Sequence, residues 1–180
     1  MDFTSRIYRL RQSMAARKLD AVLISQPENR RYLSGYTAPD HGISESSGLL
    51  LMRRKGSPYL ITDSRFKEQA EKETSSYKVL LHTKGVLPLL RELVGDLGIR
   101  KFGFESNYTL HSTAERFLEL GRRLGIGIIP LSGLVERMRV VKSDDEIVQI
   151  RKSVRLNEEV FQEVYHSLSG TETEIDVALK

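Results

Sequence analysis

Short apolar runs that alternate with amphipathic stretches constrain this chain more than any other feature of it. Phe3, Ile7, Leu10 and Met14 recur at helical spacing, which predicts a first helix ending near Lys18. AVLIS (residues 21–25) reads as a buried strand, and ENRRYLSG as a brief helix whose Gly35 supplies a left-handed C-terminal residue. GLLLMRR and PYLIT, joined across Lys55, Gly56 and Ser57, predict a hairpin of two strands. Asp63 and Ser64 then cap a helix carrying Phe66 and Ala70. YKVLLH is a further strand, residues 86–97 a helix closed by Gly98, KFGFE a strand, residues 109–124 a helix, GIIPL the last strand and residues 134–138 a helical turn. A hairpin followed by strand and helix in alternation predicts an α/β domain, a mixed β-sheet flanked by helices on both faces.

A long helix follows. Ser143 and Glu146 have capping-box spacing, and Ile147, Ile150, Val154, Phe161, Val164 and Leu168 recur three and four residues apart, up to a stop near Gly170. Thr171 and Glu174 repeat the capping-box spacing ahead of Ile175, Ala178 and Leu179. A helix so short is unstable in water without tertiary partners. The expectation is therefore the front portion of a longer polypeptide, with a domain over 1–140, a connecting helix over 141–170 and the start of a further domain at 171–180. Ile147 and Phe161 are expected to be buried against the sheet or the next domain, so an aspartate at either is expected to destabilise the bridge.

Hydrophobic residues at 39% and charged residues at 29% of 180 positions are ordinary for a soluble globular protein, enough for a sizeable core. No apolar run approaches the roughly 18 residues of a membrane span, and the N-terminus lacks the apolar middle of a signal peptide. A cytoplasmic protein with no membrane partner is expected. The absence of cysteine removes disulfides, thiolate metal sites and a cysteine nucleophile. The net charge of +4 comes from 28 basic residues scattered among 24 acidic ones. Arg53, Arg54 and Lys55, the densest basic cluster, fall at the hairpin tip, which reads as a solvated turn; no nucleic-acid partner is expected.

The residues that carry chemistry are sparse. His41, His82, His111 and His166 have no partner at helical spacing, so no self-contained metal site is expected. Gly42, Ser44 and Ser46 nearly spell a nucleophile elbow, but serine stands at the last position and no strand precedes it. Gly125 and Gly127 in LGIGIIP precede a strand and Pro130 where a dinucleotide fingerprint needs a third glycine and a helix. Asp20, Asp63 and Glu105 flank predicted strands, and carboxylates converging on one sheet edge can hold the metals of a nuclease. The bland alternative is that Asp63 caps a helix and Glu105 pairs with a basic neighbour. The longest irregular segment, TAPDHGISES between Tyr36 and Ser47, is the best candidate for a functional loop.

Three segments together resemble the amino-terminal domain of the Xaa-Pro aminopeptidases, proline dipeptidases and creatinases. They are LDAVLISQPENRRYLSGY (residues 19–36), YLITDSRF (59–66) and RMRVVKSDDEIVQIRKS (137–153), and GTETEID (170–176) is similar to the first residues of that family's catalytic domain. The resemblance spans essentially the whole chain in the family's order. It implies a ribonuclease H-like mixed sheet, a creatinase-type N-terminal domain followed by a long connecting helix, and, further on, a pita-bread catalytic domain. There, two divalent metal ions, often manganese, are held by two aspartates, a histidine and two glutamates and activate the attacking hydroxide. None of those ligands matches a position of this chain, so the resemblance implies no catalytic residue, metal or cofactor of its own and no activity for the chain alone. Its implied partners are its own C-terminal catalytic domain and a second copy in a homodimer, with short proline-containing peptides as the parent's substrate.

One departure from the family pattern stands out. Relatives often pass directly from the serine-glycine-aromatic-threonine run to the next strand, whereas this chain inserts residues 38–45. That insertion, with Tyr36 just before it and Asp40 and His41 within it, supplies the candidate substrate-access residues. The alternatives from other classes are an interaction or oligomerisation module of an inactive homologue, a creatinase-type amidinohydrolase, and a metal-dependent nuclease using Asp20, Asp63 and Glu105.

Overall fold

A computed structural model describes residues 3–179. Over those residues the chain divides into two compact units, 3–139 and 140–179.

The first unit is a three-layer α/β sandwich. Its strands are β1 (Ala21–Ile24), β2 (Leu49–Arg53), β3 (Tyr59–Thr62), β4 (Lys78–Leu81), β5 (Lys101–Glu105) and β6 (Gly127–Leu131). They form one six-stranded sheet in the order β4-β3-β2-β1-β5-β6. The β2–β3 pair is the predicted hairpin, and β2 runs antiparallel to both neighbours while all other pairings are parallel. Both edges are blunted against further pairing: β4 is short and begins with Lys78, and β6 carries Pro130.

Alternation along the central strands sorts side chains between two cores. Val22, Ile24, Leu50, Met52 and Leu60 face a layer made by α1 (Phe3–Ala16), α2 (Pro27–Ser34), α3 (Lys67–Glu73) and α6 (Glu136–Val140). Ala21, Leu23, Leu51, Ile61, Phe102 and Phe104 face α4 (Val86–Asp96) and α5 (His111–Leu124). Strands buried on both faces read as continuous apolar runs, which is why AVLI and LLLM carry no polar alternation.

Local chemistry sets most boundaries. Pro27 occupies the first turn of α2, where its missing N–H costs nothing, and Gly35 closes the helix with φ of 81°. A side chain there would be strained by that φ and would also lie 2.8 Å from the tip of the Phe3 ring, which would have to shift. Asp63 caps a single 3-10 turn, Ser64–Phe66, ahead of α3.

The second unit holds α7 (Asp144–His166), which begins with the expected capping box of Ser143 and Glu146. One expectation fails here. The capping box of α8 (Glu174–Ala178) uses Thr173 and Asp176, not Thr171 and Glu174. In TETEID both pairs have the same spacing, and the neighbouring Glu172 carboxylate decides between them by accepting the backbone N–H groups of Ser169, Gly170 and Thr171, which holds Thr171 in the turn. In α7 itself no residue is buried, and Phe161 is 65% exposed and stacked on Tyr165. No helix among the described residues is long and apolar enough to cross a membrane.

Candidate functional site: a loop pinned beside a cleft

The candidate loop is held from inside by one arginine. Asn29, Arg30 and Leu33 lie on the inner face of α2, and the Arg30 guanidinium is fully buried. Its Nη2 donates to Asp40 Oδ1 and Ser47 Oγ, each at 2.9 Å, and to the Ala38 carbonyl at 2.9 Å. Its Nη1 donates to Ser46 Oγ at 3.0 Å, to Asp40 Oδ2 at 3.3 Å and to the Gly48 carbonyl. Asp40 in turn accepts the Ser47 N–H at 2.8 Å. A buried guanidinium is tolerable only when its charge is met by an anion and its donors by acceptors, and this segment supplies the anion and acceptors for both terminal nitrogens, leaving only Nε without a hydrogen bond among the described residues.

Of the three candidate substrate-access residues, two are therefore internal. Tyr36 is buried, its ring lies 5.5 Å from the Arg30 guanidinium carbon, and its hydroxyl donates to the Ser47 carbonyl at 3.1 Å. Burial raises the Tyr36 pKa, against the opposing pull of Thr62, Arg30 and Ser47. The Asp40 side chain is spent on Arg30. His41, next in sequence, is exposed. Beyond it a small bridge between Gly42 and Glu45 folds the tip.

That tip walls a cleft of about 420 Å³ at the carboxyl ends of β1 and β3. Its floor is Leu23, Leu49, Val86, Leu87 and Phe117, and its rim includes Ile43, Glu45, Arg65, His82, Tyr108 and Arg116. The helix after β1 packs on one face of the sheet and the helix after the adjacent β5 on the other, so the chain diverges at this point. Open α/β sheets present their ligand crevices at such divergences. Arg65 spans the rim, bonding Asp63 at 2.8 Å and Glu45 at 3.0 Å. Bonding to Arg65 holds the Asp63 carboxyl below the usual range, and the two carboxylates hold Arg65 fully protonated. At the loop's other end Glu73 accepts the Thr37 N–H at 2.7 Å and the Thr37 hydroxyl at 2.8 Å. Burial pushes the Glu73 carboxyl up, but the bonds from Thr37 and Gln69 outweigh it and leave it lowered.

The three carboxylates of the nuclease alternative do not converge. Asp20 precedes β1, and because β1 and β5 are parallel with Ala21 opposite Phe102, Glu105 ends β5 at the opposite edge of the sheet. Four strand residues put them roughly 13 Å apart. Asp63 shares an edge with Glu105, but β2 and β1 stand between their strands. Each is also occupied, Asp20 by Arg54 and the N–H groups of Arg100 and Lys101, Asp63 by Arg65. Among the described residues Glu105 has no basic neighbour as its direct partner, contrary to the bland expectation. It accepts the Ser25 and Gln26 N–H groups at 2.6 and 2.8 Å and Asn29 Nδ2 at 2.7 Å, and so closes the N-terminus of α2 from outside the helix. Burial raises its pKa, with those three bonds opposing. No group of three or more His, Asp or Glu among the described residues is placed to hold a metal ion.

The remaining motifs are structural. Ser44 lies at the exposed loop tip, and Ser46 bonds the Gly48 carbonyl at 2.8 Å and Arg30. Gly125 closes α5 and Gly127 opens β6. Among the histidines, His111 pairs with Glu115 at 3.5 Å and His166 with the Gln162 carbonyl at 2.7 Å, far apart in sequence and in separate units.

The sequence model of the creatinase/prolidase N-terminal domain matches residues 6–141, and the chain belongs to that family. The chain is 24% identical over 173 residues to the uncharacterised peptidase YqhT of Bacillus subtilis (strain 168), a match covering 96% of this chain and 46% of that protein. Its fold is similar to an Xaa-Pro dipeptidase from Bacillus anthracis, with a TM-score of 0.83 and 27% identity over 98% of this chain and 46% of that one. It is also similar to the N-terminal domain of the cytoplasmic peptidase PepQ from Mycobacterium tuberculosis H37Rv, solved by itself, with a TM-score of 0.64 and 30% identity over 74% of this chain and 97% of that one. The chain thus spans about half the length of the full-length relatives it matches.

Proposed function

We propose that this chain serves as the non-catalytic N-terminal domain of a cytoplasmic, metal-dependent Xaa-Pro aminopeptidase or dipeptidase, and that its loop over residues 38–45 helps restrict access to the active site. The observation that carries the reading is the pinned loop. Arg30 and Asp40 hold its base rigid from inside, so that the exposed His41 and the tip beyond it are presented at a fixed position. A rigid polar tip suits a wall that admits short peptides and turns away folded chains. In the same proposal the two divalent metals, manganese by resemblance, and their ligands belong to a catalytic domain following Lys180, and the parent is a homodimer. The relatives named as Xaa-Pro dipeptidase and cytoplasmic peptidase support this assignment.

The test is to read the encoding gene past the codon for Lys180 and to assay its full product. Two aspartates, a histidine and two glutamates in the family's order, with manganese-dependent release of the residue before proline, are the expected result. In that enzyme His41→Ala is expected to change kcat/KM on Xaa-Pro peptides; unchanged values on several peptides would remove the loop from the reading. A downstream domain without those ligands would leave an interaction module.

A further inference from the structure

The cleft beside the loop is unclaimed by anything above. Its volume of about 420 Å³ lies within the range of small-ligand sites, and it combines an apolar floor with a few polar groups at the rim. Those polar groups differ in how far they are committed. Arg65 is neutralised by Asp63 and Glu45, so this part of the rim carries no spare charge. Arg116, projecting from the same turn of α5 that buries Phe117 in the floor, has no ion pair or hydrogen bond among the described residues. The Tyr108 hydroxyl and the His82 ring are likewise without hydrogen-bond partners among the described residues, and both face the same space. Exposed Ile43 and Leu110 extend the apolar surface to the mouth.

We infer that this cleft binds a small carboxylate with an apolar body, the body lying on Leu23, Leu49 and Phe117 and the carboxylate on Arg116. An unpaired guanidinium beside an apolar floor selects an anion, since a cation would meet like charge and a neutral polar group would gain less from the same contact. Tyr108 and His82 add donors at the opposite rim. A free apolar amino acid and the C-terminus of a short peptide share this chemistry. The inference does not require peptidase activity in the chain or in any longer product.

The experiment uses the 180-residue chain, whose relative's N-terminal domain was crystallised by itself. It is titrated with L-leucine, N-acetyl-L-leucine and L-leucinamide, followed by calorimetry and by the NMR resonances of the His82 ring and the Thr113 amide. Both carboxylates are expected to bind saturably with shifts at His82 and Thr113, and leucinamide roughly tenfold more weakly or worse. Tighter binding of N-acetyl-leucine marks a peptide C-terminus as the ligand, and tighter binding of leucine a free amino acid. Arg116→Gln, an exposed substitution, is expected to cost about tenfold or more in carboxylate affinity. Arg91→Gln, in the neighbouring groove between α4 and α5, should leave that affinity unchanged. Absence of saturable shifts, equal binding of leucinamide, unchanged affinity in Arg116→Gln or an equal loss in Arg91→Gln would each overturn the inference.

Discussion

Two arginines grip the same loop from opposite sides, and they do so under different physics. Arg30 reaches Ala38, Asp40, Ser46, Ser47 and Gly48 from the interior with no exposed surface. Arg65 reaches Glu45 from the surface with its side chain 56% exposed. Both make charged bonds near 3 Å, yet water competes for only one of them. Where water is excluded, losing a partner strands a charge or a carbonyl; where it is present, solvent replaces the bond at little cost. The base of the loop is thus part of the fold, while the ion pair at its tip adds little to stability.

Removing the inner grip tests this contrast most severely. Arg30→Ala should destabilise the chain by about 3–5 kcal/mol, because Asp40 is left as an uncompensated buried carboxylate, and urea denaturation measures it. Replacing both partners, Arg30→Met with Asp40→Asn, should recover part of that loss, since a pair removed together leaves no stranded charge. If the single and double variants were equally unstable, the packing of the guanidinium and not its charge would be what holds the loop.

Tyr36→Phe gives a smaller effect from the same buried region. It deletes one neutral hydrogen bond, to the Ser47 carbonyl, and should cost about 1 kcal/mol with the loop still in place. A loss as large as that of Arg30→Ala would show that the ring's contact with the guanidinium matters more than the hydroxyl.

Glu73 tethers the loop start and makes the comparison pH-dependent. Its folded pKa lies below its ordinary value of 4.5, so the folded state favours the ionised form. The stabilisation is complete above pH 4.5 and is lost as pH falls through the lower folded value. Unfolding midpoints of the wild type should therefore decline below pH 4.5 more steeply than those of Glu73→Gln. Parallel curves would mean that the tether does not respond to charge.

The smallest change is expected at the outer grip. Arg65→Ala should leave the denaturation midpoint unmoved while amide exchange at residues 43–45 accelerates. A clear loss of stability would erase the distinction between the two arginines.

The elements themselves were legible. Apolar runs, helical spacing and glycine stops mark every strand and helix of the first unit to within a few residues, because short-range sterics and periodicity act within each segment. The loop was also visible as a long polar stretch, but the roles of its residues were not. Asp40 and Tyr36 look like surface chemistry in sequence and turn out to be internal, because their partner Arg30 comes from the preceding helix. A signal existed: Asn29 and Arg30 lie four and three residues before Leu33, on the face that must point inward. Glu105 was misjudged for a related reason, since its partners at Ser25, Gln26 and Asn29 are brought to it only by the pairing of β1 with β5.

By itself the sequence determined the class of domain, the order of its elements and the family resemblance, all of which follow from pattern and local conformational preference along the chain. Tertiary structure alone decided which groups the buried Arg30 pairs with, which of two overlapping capping boxes forms, that three strand-end carboxylates stay apart, and that a cleft opens between the loop tip and the start of α5. Each of these depends on groups distant in the chain competing for the same hydrogen-bonding partner or the same space, and such a competition is settled only when the sheet has brought them together.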